Sequence, residues 1–303
     1  MAYSTLFLVG NGMDKAADYP TGYSDFYQSV YFNKLLSDKN PIALYVQEKN
    51  TIENWADLEQ ELFNYASDDE IIALHPNLEE DFKQVRMALY MYIYKKVEYS
   101  RHDGYNKKVL DLQHFLTQLF SEDQNIRFFS FNYTTIFDDI WEEANKVKPV
   151  IQHVHGNVNG IETDGNNIVL GIDESMQVKQ VYNFLYKPYN VSFNNYEFLN
   201  AIKEAKRIII FGCSMGDSDR WYFETLFNNC TNKLVEIIAY GEDERRRSEH
   251  RITELTNKTI ATFSSETQLK TFDNSNIGTL IHSRDSYYNY YNPSFLDSLR
   301  NKS

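Results

Sequence analysis

Four apolar residues, Leu6-Phe7-Leu8-Val9, run without polar alternation into Gly10-Asn11-Gly12. A run of this kind suits a strand buried on both faces of a parallel sheet. The glycines carry no Cβ, which permits a tight turn and lets backbone N–H groups come close to a ligand. A strand that enters such a turn and continues into a helix commonly holds a nucleotide's phosphates. The motif alone is weak. No third glycine stands at the dinucleotide-fingerprint spacing, and the Gly-Lys-Ser/Thr of a P-loop is missing. An ordinary strand-to-helix turn of an α/β protein has the same pattern, so the rest of the chain must decide.

Further along, apolar runs recur with helical segments between them. Residues 126–131, 150–155, 168–170, 207–211 and 234–240 read as strands, and Arg207-Ile208-Ile209-Ile210-Phe211 is the most apolar of them. Strands alternating with helices imply βαβ units and a parallel, doubly wound sheet, an α/β Rossmann-like fold. Residues 23–121 read as helical, with Ser24 capping a helix from Asp25. Amphipathic spacing appears there at Trp55, Leu58 and Leu62, and again at Phe82, Val85 and Leu89. Pro41 and His75-Pro76 are the main breaks, and the tyrosine-rich run 90–99 reads as a packed helix face. The expected organisation is a Rossmann-like core at 1–22 and 122–264, a helical insertion at 23–121 and a polar tail at 265–303 with a tyrosine cluster at 287–291.

In parallel sheets, ligands bind at the carboxyl ends of the strands. Polar and glycine residues stand at those ends here: Gly10, Asn11 and Gly12, then Asn132, then His155 and Gly156, then Gly212 and Ser214, then Gly241. That convergence is the strongest argument for a site. The net charge of −13 argues against broad nonspecific nucleic-acid or anionic-membrane binding, which need a positive field. A small anionic ligand held by local amide dipoles remains compatible with it. Two cysteines, Cys213 and Cys230, are too few for a disulfide framework or a four-cysteine zinc site and suit a reducing compartment. No apolar run approaches the roughly 18 residues of a membrane span, and the N-terminal run is too short for a signal peptide. A cytoplasmic protein is expected.

The chain resembles the abortive-infection AbiH family of phage-defence proteins. The matching stretches are Gly10-Asn11-Gly12-Met13-Asp14, Pro20-Thr21 with Tyr23-Ser24-Asp25-Phe26, and Trp55 with Asp57-Leu58-Glu59. They continue with Phe131-Asn132-Tyr133-Thr134, His153 with His155-Gly156, Leu170-Gly171-Ile172-Asp173, and Gly212 with Ser214-Met215-Gly216-Asp217-Ser218-Asp219. The resemblance implies an abortive-infection effector, an oligomer, answering to a phage-derived trigger or a defence partner protein.

More distantly, the same series is similar to the sirtuin-type NAD-binding domain. The likeness rests on the glycine loop with Pro20 following, on Asn132 and His155-Gly156, and on Gly212-Cys213-Ser214 after a buried strand. It implies NAD as substrate, with Gly10, Asn11, Gly12, Pro20, Gly156, Gly212 and Ser214 around the cofactor; Gly241 joins them from its strand end, and Asp14, Asp217 or Asp219 could hydrogen-bond ribose hydroxyls or stabilise positive charge. Asn132 would order the ribose and a water, and His155 would act as base. Residues 157–211 hold no cysteine, so the zinc module of sirtuin deacylases is missing, and the likeness points to NAD hydrolysis to nicotinamide and ADP-ribose with no metal.

This chemistry suits the residues. Loss of nicotinamide passes through an oxocarbenium-like ribose, which calls for electrostatic stabilisation, a placed water and a base. Each residue also has a plainer role open to it: Asp14 and Asp217 as helix caps, Glu59 on a solvated helix face, and His153 with His155 as a core pair or metal ligands sharing a strand face. A metal-dependent nuclease or phosphohydrolase using His153, His155, Asp14, Asp217 and Asp219 is therefore the rival reading. A non-catalytic nucleotide sensor is the third. The run Glu244-Arg245-Arg246-Arg247 with His250-Arg251 reads as a salt-bridged helix face.

Overall fold

A computed structural model describes residues 4–49, 57–74, 77–102, 106–119, 125–145, 150–158, 165, 167–173, 175–187, 195–239 and 241–273. Trp55, the His75-Pro76 break, the side chains of 97–99 and the tyrosine cluster at 287–291 lie outside the described residues.

Six parallel strands form one sheet: β1 (Ser4–Val9), β2 (Asn125–Ser130), β3 (Ile151–His153), β4 (Arg207–Phe211), β5 (Leu234–Ala239) and β6 (Gln268–Asp273). Their order is β3-β2-β1-β4-β5-β6, that of a Rossmann-like doubly wound sheet. The first apolar run lies at its centre. β1 pairs with β2 on one edge and β4 on the other, and Val9 stands level with both Ser130 and Phe211. The three strands thus end together, which brings the residues that follow them to one place.

Helices cover both faces. Between β1 and β2 lie α1 (Asn11–Ala16), α2 (Tyr23–Tyr27), α3 (Val30–Ser37), α4 (Pro41–Lys49), α5 (Leu58–Ser67), α6 (Asp69–Leu74), α7 (Leu78–His102) and α8 (Lys107–Leu119). After them come α9 (Ile136–Asn145), α10 (Asn195–Glu204), α11 (Arg220–Asn228), α12 (Gly241–Thr256) and α13 (Ile260–Glu266).

Strand side chains alternate between faces, so the all-apolar strands feed two cores at once. Phe7 and Val9 join Phe128, Ile209 and Phe211 in the core beneath the β1–β2 helices and α9. Leu6 and Leu8 join Ile208, Ile210, Phe198 and Phe223 beneath α10 and α11. Each fully buried Leu or Phe contributes about 1.5–3 kcal/mol, and this two-sided burial is what sets the sheet's centre. Helix spacing behaves likewise. Leu58 and Leu62, and Phe82, Val85 and Leu89, are all buried. Within the tyrosine run, Tyr90 and Tyr92 pack inward, and the Tyr92 hydroxyl donates to the Pro20 carbonyl at 2.6 Å.

Four local expectations change. Residues 168–170 form no sheet strand: Ile168 makes only an isolated antiparallel bridge to Gly156, whose φ of +69° turns the chain back on itself. β3 ends at His153, so His155 stands in the following turn. The helix near Ser24 begins at Tyr23, because the Asp25 carboxylate reaches back to accept the Gly22 N–H at 3.0 Å. Finally, residues 268–273 belong to the sheet as β6, paired along β5. The short Gln-Leu-Lys-Thr-Phe-Asp run has neither a continuous apolar stretch nor strict alternation, the two patterns that reveal a strand.

Candidate functional site

The loops after β1, β2 and β4 enclose a cavity of about 580 Å³ at the carboxyl edge of the sheet. Gly10, Asn11, Gly12, Asp14, Asn132, His155, Gly212 and Ser214 all line it. The other expected residues lie elsewhere. Pro20 is bonded through its carbonyl to Tyr92, and Gly156 is required by its turn, where a Cβ would meet the Asn167 carbonyl at 1.8 Å. Asp217 pairs with Arg251 at the surface, and Gly241 opens α12 with φ +84°.

The glycines have a reason different from the expected one. The Gly10 N–H donates to the Phe211 carbonyl and the Gly12 N–H to the Gly212 carbonyl, each at 2.8 Å. A Cβ on Gly10 would lie 2.5 Å from Cys213 Cα, and one on Gly12 would lie 2.6 Å from Gly212 Cα. Gly212 itself has φ +65°. These three glycines let the β1 and β4 loops touch backbone to backbone, and all three of their N–H groups are spent on backbone carbonyls rather than offered to a ligand.

Asp14 is fully buried at the cavity floor. It accepts from Thr134 Oγ1 at 2.7 Å, Asn132 Nδ2 at 3.1 Å and Thr21 Oγ1 at 3.2 Å. Burial pushes its carboxyl from 3.8 to about 7, and these bonds offset only part of the rise. Asn132 turns its Nδ2 toward Asp14, whose Oδ1 accepts. Asn132 Oδ1 is then a buried acceptor without a partner among the described residues.

His155, about 3% exposed, packs among the rings of Phe131, Tyr133 and Tyr222. Its Nε2 lies 2.8 Å from Asp219 Oδ1 but off the line of a hydrogen bond, and its Nδ1 has no partner among the described residues. Burial, with the nearby Lys187 ammonium, lowers the imidazole's pKa and keeps it neutral. His153 turns elsewhere, to Asp138 Oδ1 at 3.2 Å and the Asn132 carbonyl at 3.4 Å. The two histidines do not share a face, because the strand has already ended between them.

Sequence reasoning missed Lys187 and placed Glu59 on a solvated face. Both are buried, at 3% and 5% exposure. Lys187 Nζ lies 3.0 Å from Glu59 and 2.8 Å from Asp219 Oδ1. Glu59 also accepts the Gly171 N–H at 3.3 Å. Asp57 caps α5 by accepting the Glu59 N–H at 2.9 Å, which sets the start of the helix that carries Glu59 inward. Burial raises the Glu59 carboxyl. Burial also disfavours the charged Asp219, but Lys187 and His155 outweigh it and hold that carboxyl well below the usual range. The same balance, with the two carboxylates prevailing over burial, keeps Lys187 charged. No motif marks Lys187, which owes its place to partners 128 and 32 positions away. Burial raises the Cys213 thiol well above its ordinary value, which leaves it inert as a nucleophile.

The family model described as bacteriophage abortive infection AbiH matches residues 6–240. The chain belongs to the AbiH family. The matched span reaches from β1 through β5 and includes every residue of the cavity named so far, together with the AbiH stretches around Asp57, Glu59 and Asp219. Membership gives this AbiH protein a role in phage defence by abortive infection. Comparison with curated proteins finds no match. The arginines of α12 are paired as their spacing suggests, Arg245 with Glu242 and Glu249, and Arg247 with Glu244. No helix among the described residues is long and apolar enough to cross a membrane.

Proposed function

We propose that this cavity binds NAD or a related nucleotide and hydrolyses it at the nicotinamide–ribose bond, as the effector step of abortive infection. One observation carries the reading. Two buried polar atoms without hydrogen-bond partners among the described residues, Asn132 Oδ1 and His155 Nδ1, belong to residues lining one cavity at the β1–β4 switch point, where Rossmann-like sheets receive nucleotides. Atoms of that kind call for hydrogen-bond donors, and ribose hydroxyls and water supply them.

In this scheme Asn132, held by Asp14, accepts from a ribose hydroxyl. Water attacks the anomeric carbon as the C–N bond breaks, and nicotinamide leaves with the bonding electron pair, becoming neutral. The proton lost by water passes to His155, whose neutral state suits a base near pH 7. The carboxylates around the floor favour the positive charge that develops on the ribose. The sirtuin-type likeness of the strand-end residues supports the same assignment. The separation of His153 from His155 weighs against the metallohydrolase reading, since the expected ligand pair is not formed.

The test is chromatography of nicotinamide and ADP-ribose from purified protein with NAD, with and without EDTA, repeated on extracts of infected cells. Release of both products, insensitive to EDTA, is expected. Loss of activity in EDTA would favour the metal-dependent reading, and tight binding without products would reduce the protein to a sensor.

A further inference from the structure

Behind His155 lies a buried chain of charges drawn from four separate parts of the sequence. Glu59 comes from α5, Lys187 from the segment after the 3₁₀ turn at Gln180–Leu185, Asp219 from the turn before α11, and His155 from the turn after β3. Asp219 Oδ1 is shared, 2.8 Å from Lys187 Nζ on one side and 2.8 Å from His155 Nε2 on the other. Lys187 is anchored in turn by Glu59, and Glu59 by the Gly171 N–H.

We propose that Glu59, Lys187 and Asp219 are positioning residues that hold His155 as its Nε2–H tautomer and leave Nδ1 as the basic atom. The reasoning is geometric. Asp219 Oδ1 is an anionic oxygen that already accepts from an ammonium, and at 2.8 Å from Nε2 it favours the positive end of an N–H dipole there over a lone pair. The proton of the neutral ring therefore belongs on Nε2. The N–H direction lies off the line to Asp219, so charge and dipole, rather than a linear hydrogen bond, set the preference. The groups facing His155 are Asp219, Lys187 and the rings of Phe131, Tyr133 and Tyr222, and of these only Asp219 is an anion. Asp219 stays ionised beside Lys187, while burial raises the Glu59 carboxyl, so the anion held against the ring is Asp219. The Asp219 carboxylate steadies the imidazolium that forms when Nδ1 takes a proton, as the buried carboxylate does in a Ser-His-Asp triad. The arrangement also ties α5 to the sheet through the same atoms that set the histidine.

The functional consequence rests on His155 being the base of the proposed reaction, whereas the tautomer does not. The deciding measurement is long-range ¹⁵N–¹H NMR of the intact protein labelled at histidine ring nitrogens, with His155 assigned by its loss in His155→Gln. A neutral ring with the proton on Nε2 at neutral pH is expected. In Asp219→Asn that preference should weaken toward a tautomer mixture, with kcat falling about 10²–10⁴-fold and KM little changed. Lys187→Arg should keep the wild-type tautomer. A proton on Nδ1 in the wild type, or an unaltered tautomer in a folded Asp219→Asn, would overturn the proposal. If Asp219→Asn does not fold, the wild-type spectrum alone decides. An Nε2–H ring in a protein that leaves NAD intact would sink the NAD reading and leave the relay standing.

Discussion

Replacing Asp14 with Asn should stabilise the folded protein at alkaline pH while damaging the site. Asp14 has no exposed surface, and burial carries its carboxyl from 3.8 to about 7. Below pH 3.8 folded and unfolded chains are both protonated there, and the residue is not a liability. As the pH rises from 3.8 to about 7, the unfolded chain releases the proton and the folded one retains it, so stability falls; above about 7 the loss is complete. Across that window of about three pH units, at about 1.36 kcal/mol per unit, the loss comes to about 4 kcal/mol. Asparagine has the same shape and does not titrate. Its amide needs one of the hydroxyls of Thr21 or Thr134 to turn from donor to acceptor, at a cost of about 1 kcal/mol. Asp14→Asn should therefore exceed the wild type by about 3 kcal/mol near pH 8 and trail it by about 1 kcal/mol near pH 3.5. Urea unfolding of both proteins at a series of pH values reads this directly. NAD turnover should fall about 10²-fold, because the Asn132 amide loses its fixed orientation. A difference in stability that stays constant from pH 3.5 to 8 would show that Asp14 does not titrate across that range, and the argument from burial would fail.

The remaining expectations are more direct. Asn132→Ala and His155→Asn should each lower NAD turnover by about 10²–10⁴-fold with little change in melting, as chromatography and thermal unfolding will show. His155→Ala should also lose stability, since its ring packs against Phe131, Tyr133 and Tyr222. Lys187→Met should cost about 3–5 kcal/mol by stranding two buried carboxylates, and more at high pH, where Glu59 can no longer shelter by holding a proton. Unchanged urea midpoints would refute it. Gly12→Ala should cost about 1–3 kcal/mol through the 2.6 Å clash with Gly212 Cα, and an unaltered melting temperature would show that the two loops can part.

Much of the architecture was legible because burial on both faces of a parallel sheet leaves a mark in the sequence. Leu6–Val9 and Arg207–Phe211 can only be central strands, and polar residues at their ends can only crowd one edge. Asn132 was reached this way, since a strand's end fixes where the next residue stands, and His155 was expected at such an end but stands in the turn beyond it. The apolar spacing of α5 and α7 gave their buried faces for the same reason. β6 escaped because its short run carries neither pattern.

What only the tertiary structure decided is which polar groups meet. Gly10, Gly12 and Gly212 line the cavity, but what demands glycine there is the contact of two loops some two hundred residues apart in sequence. Glu59 follows an ordinary amphipathic helix and became buried only because Lys187 arrives opposite it. His153 and His155 look like a pair until the strand ends between them. Local periodicity records whether a residue faces water, but a buried charge is set by its partner, and no spacing along the chain encodes a partner 128 positions away.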